Sequence, residues 1–541
     1  MRVLGINAIF HDPAAALVVD GRPVAAAEEE RFSRRKHGKR PVPFSAWEQP
    51  GQAARWCLRH AGLSAADLDA VAFSYDPALA RPAHEMGLDD PFDDLRIRYA
   101  RMAPTLLAEE LPGLDPAKAV FVPHHVAHAA SAGLAAPARS CAVLVNDGRG
   151  EDGSHLAGRY RDGELEVLAT QPLPHSLGLF YEDLTQHLGF LRSSDEYKVM
   201  ALASYGKPRH LDLLREAVRV HPAGGFRTDP VDWASLCPPR APDTPCTDAH
   251  ADVAASAQRR LEEVLLEQAR LLHAQTGERL LAMAGGTALN CVANTVLARQ
   301  GPFERVWVQP AAGDAGTSLG AALQLSASSG QEPWTMRGAD LGRDLDDGEI
   351  ERALRRSRVR YERPGDVAEA AAEVLAGNGI VAWVQGRAEF GPRALGHRSL
   401  LAHPGHRANL ERLNDVKGRE QFRPVAPMVA AGRAAEIFQR GPLPSPYMLF
   451  VHDVAPAWQD RIPAAVHVDG TARVQTVDAA DEPLTARLLD AFERRTGLPV
   501  LVNTSLNTAG RPMVDDIRDA LECFGSTPID LLALGSFVVR R

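Results

Sequence analysis

His124 and His128, four residues apart in PHHVAHAA, are the first pair in this chain with a spacing that suits chemistry. On a helix that spacing sets both imidazoles on one face, where they can share a transition metal as other H-x-x-x-H pairs do. Two carboxylates extend the set: Asp147 follows an apolar run in VNDGRGE, and Asp314 sits between apolar stretches in AAGDAGTSLG. Two imidazoles and two carboxylates suit iron, manganese or zinc better than calcium. Packed histidines and turn-forming aspartates are the alternatives, and His125 reads as a supporting or structural neighbour. Near the start, His11 follows an apolar run in INAIFHDPAAAL, where it could take a proton from an attacking hydroxyl.

A second group of residues suits phosphate. AGGTALN, with Gly285, Gly286 and Asn290, follows an apolar run and opens a helix, so its amides can face an anion or a ribose. Close helix–strand packing would explain the glycine pair equally well. Further on, QGRAEFGPRALGHRS offers Arg387, Arg393, His397 and Arg398, DVKGREQFRPVAP offers Lys417, Arg419 and Arg423, and GTARVQT offers Arg473. Guanidiniums converging from separate segments match phosphate oxygens in pairs. Asn503, Ser505 and Asn507 in VNTSLNTAG end a strand with small polar groups able to read a carbamoyl or a phosphate; a capped turn is the alternative. The basic run in EEERFSRRKHGKR reads as a solvated face.

The elements that must position these residues are short strands and helices. RVLGIN, AAALVV and VAAAEEE form a meander, and a second meander begins at CAVLVNDGRGEDG. Each opens with a strand and an acidic or glycine-rich turn, so the first part reads as a duplicated α/β core. Apolar residues three and four apart predict a helix over about 252–275, closed by Gly277. Residues 229–247 read as a proline-rich surface excursion, and SASSGQEPW at 326–334 as a linker. Two domains are expected, 1–335 and 345–541. GIVAWVQG, PVLVNTS and LLALGSFVV are strands of the second.

Composition narrows the function classes. With 541 residues, 45% of them hydrophobic and 24% charged, the chain is long enough for two or three cores. A formal charge of −9 argues against nucleic acid as the main partner. The six cysteines form no C-x-x-C pair and read as reduced, buried thiols. With neither a signal-like leader nor a membrane-length apolar run, a soluble cytoplasmic protein with no membrane partner is expected.

The motifs GINAIFHDPAAALVVDG, HHVAHAASA, VNDGRGE, SLGLFYE, YKVMALASYG, AGGTALN, QGRAEFGPRALGHRSLL, VKGREQFRPVAP, HVDGTARVQTV and VNTSLNTAGRPMV, in this order, resemble the NodU/CmcH carbamoyltransferases over nearly the whole chain. The resemblance implies an α/β protein. Its N-terminal domain would be a duplicated actin/sugar-kinase-like (ASKHA) fold, and its C-terminal domain YrdC-like, with the K-x-R and S-x-N signature at Lys417, Arg419, Ser505 and Asn507. It implies that carbamoyl phosphate gives up its phosphate in the second domain and that the carbamate attacks ATP. Carbamoyl-adenylate and pyrophosphate result, and the carbamoyl group then passes to a hydroxyl in the first domain, shielded from water. By the same resemblance His124, His128, Asp147 and Asp314 hold a metal, iron(II) or a similar divalent ion, and magnesium accompanies ATP. His11 is the base of the transfer step, and Gly285, Gly286 and Asn290 hold adenosine. Arg393, Lys417, Arg419, Arg423, Arg473, Asn503, Ser505 and Asn507 hold carbamoyl phosphate and the ATP phosphates. Thr287 departs from the valine common in relatives. The expected acceptor is a hydroxylated small molecule, a sugar of a secondary metabolite such as an antibiotic; a tRNA or protein acceptor is the alternative. A homodimer is compatible with the resemblance.

Overall fold

In a computed structural model, residues 1–38, 44, 48–332 and 334–541 are described. Lys39 and Arg40 of the basic run and Pro333 of the linker-like stretch lie outside them. The chain divides into two compact units, Met1–Met336 and Arg337–Arg541.

Among the described residues, the first unit is built on two five-stranded sheets with one plan. β1 (Arg2–Asn7), β2 (Ala14–Val19) and β3 (Arg22–Glu28) form an antiparallel meander, and β4 (Ala70–Phe73) and β5 (Ala119–Phe121) add in parallel on the far side of β1. In the second sheet β6 (Ser140–Asn146), β7 (Gly153–Arg161) and β8 (Glu164–Pro172) form the meander. After the separate hairpin of β9 (Val218–Val220) and β10 (Phe226–Thr228), β11 (Leu280–Ala284) and β12 (Arg305–Val308) add in parallel on the far side of β6. The orders β3-β2-β1-β4-β5 and β8-β7-β6-β11-β12 are the same topology twice, a duplicated α/β core. Near-continuous burial along β1 and β6 fits strands covered on both faces.

Two helices bring the site residues together. His124–Gly133 packs against Ala315–Ser328, which also packs on β1 and β2. Both are rich in alanine, glycine and serine, so their backbones come close. A Cβ at Gly320 would stand 1.8 Å from the Ala127 carbonyl oxygen, which no side chain could tolerate. The helix expected over 252–275 spans Asp248–Thr276, capped by Thr247 and ended by Gly277. Asp93–Glu110 is a helix that the sequence does not announce, since it runs continuously through Pro104.

The second unit has a seven-stranded mixed sheet among the described residues. Its strands are β13 (Val381–Val384), β14 (Arg398–Ala402), β15 (Ala426–Ala430), β19 (Gln475–Val477), β20 (Val500–Ser505), β21 (Leu531–Leu534) and β22 (Phe537–Arg540), in the order β19-β15-β20-β14-β13-β21-β22. β16 (Phe438–Gln439), β17 (Val451–Val454) and β18 (Thr471–Arg473) form a smaller sheet. Val381 and Trp383 belong to one core and Ala382 and Val384 to another, so β13 is buried on both faces. LLALGSFVV, expected as one strand, is the hairpin of β21 and β22, turned at Gly535 with φ 55°.

Candidate active site

His124 and His128 lie on the buried face of their helix, as the spacing requires, with no exposed surface. His124 Nδ1 lies 3.1 Å from the Ser74 carbonyl oxygen. A carbonyl only accepts, so Nδ1 carries a proton and Nε2 is the ring atom turned to the carboxylates. Asp147 follows β6 directly. Asp314 stands at the N-terminus of Ala315–Ser328, yet its carboxylate accepts no capping hydrogen bond from that helix. It turns instead toward the histidines. His124 Nε2 lies 3.4 Å from Asp147 Oδ2 and 3.7 Å from Asp314 Oδ1, and His128 Nε2 lies 3.7 Å and 3.6 Å from the same two atoms.

One ligand atom from each of the four residues falls within a 4.8 Å span. His124 Nε2, His128 Nε2 and both Asp314 oxygens are buried without a hydrogen bond. Buried ionisable atoms left this way are costly unless a counter-charge completes them. Burial alone would lower the His124 imidazole, but the nearby Asp147 and Asp314 carboxylates raise it well above its ordinary range. Burial alone would raise both carboxylates; neighbouring histidines hold them below theirs. Two carboxylates and two imidazoles, the latter binding through a lone pair once a metal displaces any proton there, would match a divalent transition metal in charge and donor type.

Around the cluster, His11 Nε2 lies 3.6 Å from Asp314 Oδ2, at the cluster's edge. The Gly286 amide donates to Asp147 Oδ1 at 2.8 Å, so the AGGTALN turn holds a cluster carboxylate. Gly285 has φ 88°, and a Cβ there would meet the Asn146 carbonyl oxygen at 2.3 Å. The Asn290 side chain caps the helix Cys291–Gln300 through Ala293 N and bonds Gln258 at 2.8 Å. Glu151, which the sequence reading passed over, is buried and accepts from the amides of Asp76 and His124, both at 2.8 Å. It thereby caps the histidine-bearing helix from a position four residues after Asp147. Burial lowers the neighbouring His125 to about 3, so this imidazole stays neutral beside the cluster.

In the second unit, the Lys417 ammonium donates to Ser505 Oγ at 2.9 Å and also to the Ser505 carbonyl and Asn507 Oδ1. Lys417 ends the helix Ala408–Lys417, and Gly418 in a left-handed conformation turns the chain away. Arg419 Nε donates to Asn414 Oδ1 at 2.6 Å, and Asn414 Nδ2 reaches the Arg423 carbonyl at 3.1 Å, so one asparagine organises both arginine-bearing turns. Asn503, two residues before Ser505 and on the same face of β20, donates to Gln475 Oε1 at 2.7 Å and the Ala394 carbonyl at 3.2 Å. Gln475 donates to the Leu395 carbonyl at 2.7 Å. The segments carrying Arg393 and Arg473 are therefore gathered beside Asn503.

Arg387 and Arg398 both donate to backbone carbonyls of the second unit. Arg398 is fully buried and donates to the carbonyls of Gln385 and Gly386 at 3.0 Å, Arg343 at 2.8 Å and Asp515 at 3.2 Å. Arg387 donates to the carbonyls of Gly342 and Leu341. Both guanidiniums stitch the loop to the fold. Glu389 Oε1 accepts from the amides of Leu395, His397 and Arg398, at 2.7, 3.1 and 3.1 Å, shaping the turn that bears Arg393.

Similarity to known proteins runs through both units. The family profile described as Carbamoyltransferase N-terminus matches residues 2–86 and 98–323, and Carbamoyltransferase C-terminus matches 372–541. Nodulation protein NolNO of Sinorhizobium fredii is 38% identical over 99% of this chain and 80% of its own. Nodulation protein NolO of Bradyrhizobium diazoefficiens is 39% identical over 77% of this chain and 78% of its own. Nodulation protein U of Sinorhizobium fredii is 41% identical over 51% and 48%.

Proposed function

The chain belongs to the carbamoyltransferase family, and on that premise we propose that it is an ATP-dependent O-carbamoyltransferase working through carbamoyl-adenylate. In the second unit water cleaves carbamoyl phosphate to carbamate and inorganic phosphate, and the carbamate oxygen attacks the α-phosphorus of ATP with pyrophosphate leaving. Lys417, steadied by Ser505 and Asn507, sets a fixed ammonium against the transferring phosphate. Arg393, Arg419, Arg423 and Arg473 offer guanidiniums to the remaining oxygens, where preorganised positive charge lowers the barrier. Asn503 presents its amide to the carbamoyl group. Magnesium would enter with ATP.

In the first unit the acceptor oxygen attacks the carbamoyl carbon and AMP leaves. His11 Nε2 receives the hydroxyl proton as that bond forms. The turn of Gly285, Gly286 and Asn290 receives the adenosine. His124, His128, Asp147 and Asp314 would hold a divalent metal, iron(II) by family resemblance, whose charge when bound neutralises the phosphate of the intermediate.

The observation that carries the transfer reading is the place of His11, at the edge of a buried His/Asp cluster. The acceptor we propose is a sugar hydroxyl of a secondary metabolite. The test uses carbamoyl phosphate labelled in its carbonyl carbon, with ATP and a panel of hydroxylated small molecules beside bulk tRNA and protein. Label in a small-molecule carbamate supports the reading; label confined to tRNA or protein overturns it.

A further inference from the structure

Three non-glycine residues beside the cluster hold left-handed backbone: Phe10, Asp12 and His37, with φ 55°, 51° and 59°. Such conformations persist only where the surroundings impose them, and they gather at functional sites. Here the surroundings are visible. Asn7 Nδ2 donates to the carbonyls of His11 and Asp12 at 2.9 and 3.0 Å, and Asp12 N donates to the His37 carbonyl at 3.3 Å. The turn so held directs the Asp12 carboxylate at two imidazoles. Its Oδ2 lies 2.9 Å from His11 Nδ1 and its Oδ1 lies 2.7 Å from His37 Nδ1. His37 Nε2 in turn meets Ser194 Oγ at 2.8 Å. His37 comes from the basic run that reads as solvated surface, yet both its ring nitrogens are engaged inward.

An ionised carboxylate only accepts hydrogen bonds, so His11 Nδ1 carries the ring proton. The lone pair is then on Nε2, the nitrogen that faces Asp314 and the cluster. We propose that Asp12 and His37 are positioning residues, Asp12 fixing the ring and tautomer of His11 and His37 fixing the carboxylate of Asp12. Neither touches the reacting atoms. The logic is that of an aspartate orienting a histidine base, with a second histidine and a serine extending the chain. This rests on His11 being the base of the transfer step.

The experiment uses the metal-loaded 541-residue chain and compares His11→Asn, Asp12→Asn, His37→Gln and the double variant His11→Asn/Asp12→Asn. It measures kcat and acceptor KM for transfer, pyrophosphate release without acceptor, and metal content. For Asp12→Asn we expect kcat for transfer to fall by about 10²–10⁴-fold, with acceptor KM, pyrophosphate release and metal content unchanged. His37→Gln should fall in the same direction by about tenfold, on the scale of a lost outer hydrogen bond, and carries the test should Asp12→Asn fail to fold. The double variant should be no slower than His11→Asn alone. Wild-type transfer by Asp12→Asn or by His37→Gln beside an inactive His11→Asn, or additive losses in the double variant, would overturn the inference while leaving His11 as the base. Wild-type transfer by His11→Asn would overturn the base assignment and the inference together.

Discussion

His124 Nε2 and Asp314 Oδ1 face each other across 3.7 Å, both fully buried, and neither has a hydrogen-bond partner among the described residues. The two groups arrive by different routes, one on a helix face and one at a helix N-terminus whose amides it does not cap. An aspartate that leaves its own helix uncapped to face a histidine gives up about 0.5–2 kcal/mol of capping. A cation between them would more than offset that cost.

His128→Ala and Asp314→Ala are therefore expected to lose bound transition metal. Elemental analysis after desalting should fall from about one ion per chain to near none, with affinity reduced by more than the ~10–100-fold typical of an outer partner. Chelation should lower the melting temperature of the wild-type protein and leave Asp314→Ala nearly unmoved, since only the former has binding energy to lose.

Gly285→Ala tests the turn beside the cluster. The residue would have to adopt φ 88° and place its Cβ 2.3 Å from a backbone oxygen. A loss of at least ~1–3 kcal/mol is expected in denaturant unfolding, together with weaker nucleotide binding. Gly286→Ala should be milder, because its Cβ would meet Asp147 Oδ1 at 3.2 Å.

Lys417→Ala and Ser505→Ala are expected to reduce pyrophosphate release by about 10²-fold or more, the scale seen when a preorganised charge or donor is removed from a transition state. Transfer from added carbamoyl-adenylate should survive in both. Loss of that transfer as well, in folded protein, would remove the assignment of these residues to the first half-reaction.

How much of this was legible in the sequence depends on the range of each contact. The meanders of β1–β3 and β6–β8 show as short apolar runs with tight turns, and the His124/His128 pair shows as a helical spacing. Asp147 shows as an acidic residue at a strand end. By contrast, the pairing of Asp12 with His37 joins a turn to a basic run that by composition looks solvated, and nothing local marks it. Glu151 caps a helix that begins twenty-seven residues before it in the chain, so no capping pattern precedes that helix. Arg398 resembles a phosphate ligand by type and neighbours, and its burial among backbone carbonyls appears only once β14 is laid in the sheet.

The His397–Glu482 pair gives the second unit a pH dependence with a definite sign. Burial alone would lower the His397 imidazole; the hydrogen bond to Glu482 at 3.0 Å and the charge of Glu389 raise it to about 9, above its ordinary 6.5. A raised histidine contributes stability fully below pH 6.5 and loses it as pH climbs through about 9. The contribution is on the order of 3 kcal/mol at most. The melting temperature is expected to decline over that window in the wild type and to decline less in Glu482→Gln, as differential scanning fluorimetry across pH would read.

The most direct test of the central claim is pyrophosphate release from ATP by the metal-loaded protein, with and without carbamoyl phosphate and with no acceptor present. Release that requires carbamoyl phosphate is the expected result, and AMP should appear only when a hydroxylated acceptor or water consumes the adenylate. Equal release in the absence of carbamoyl phosphate, or none in its presence even after acceptor is added, would contradict the carbamoyl-adenylate route.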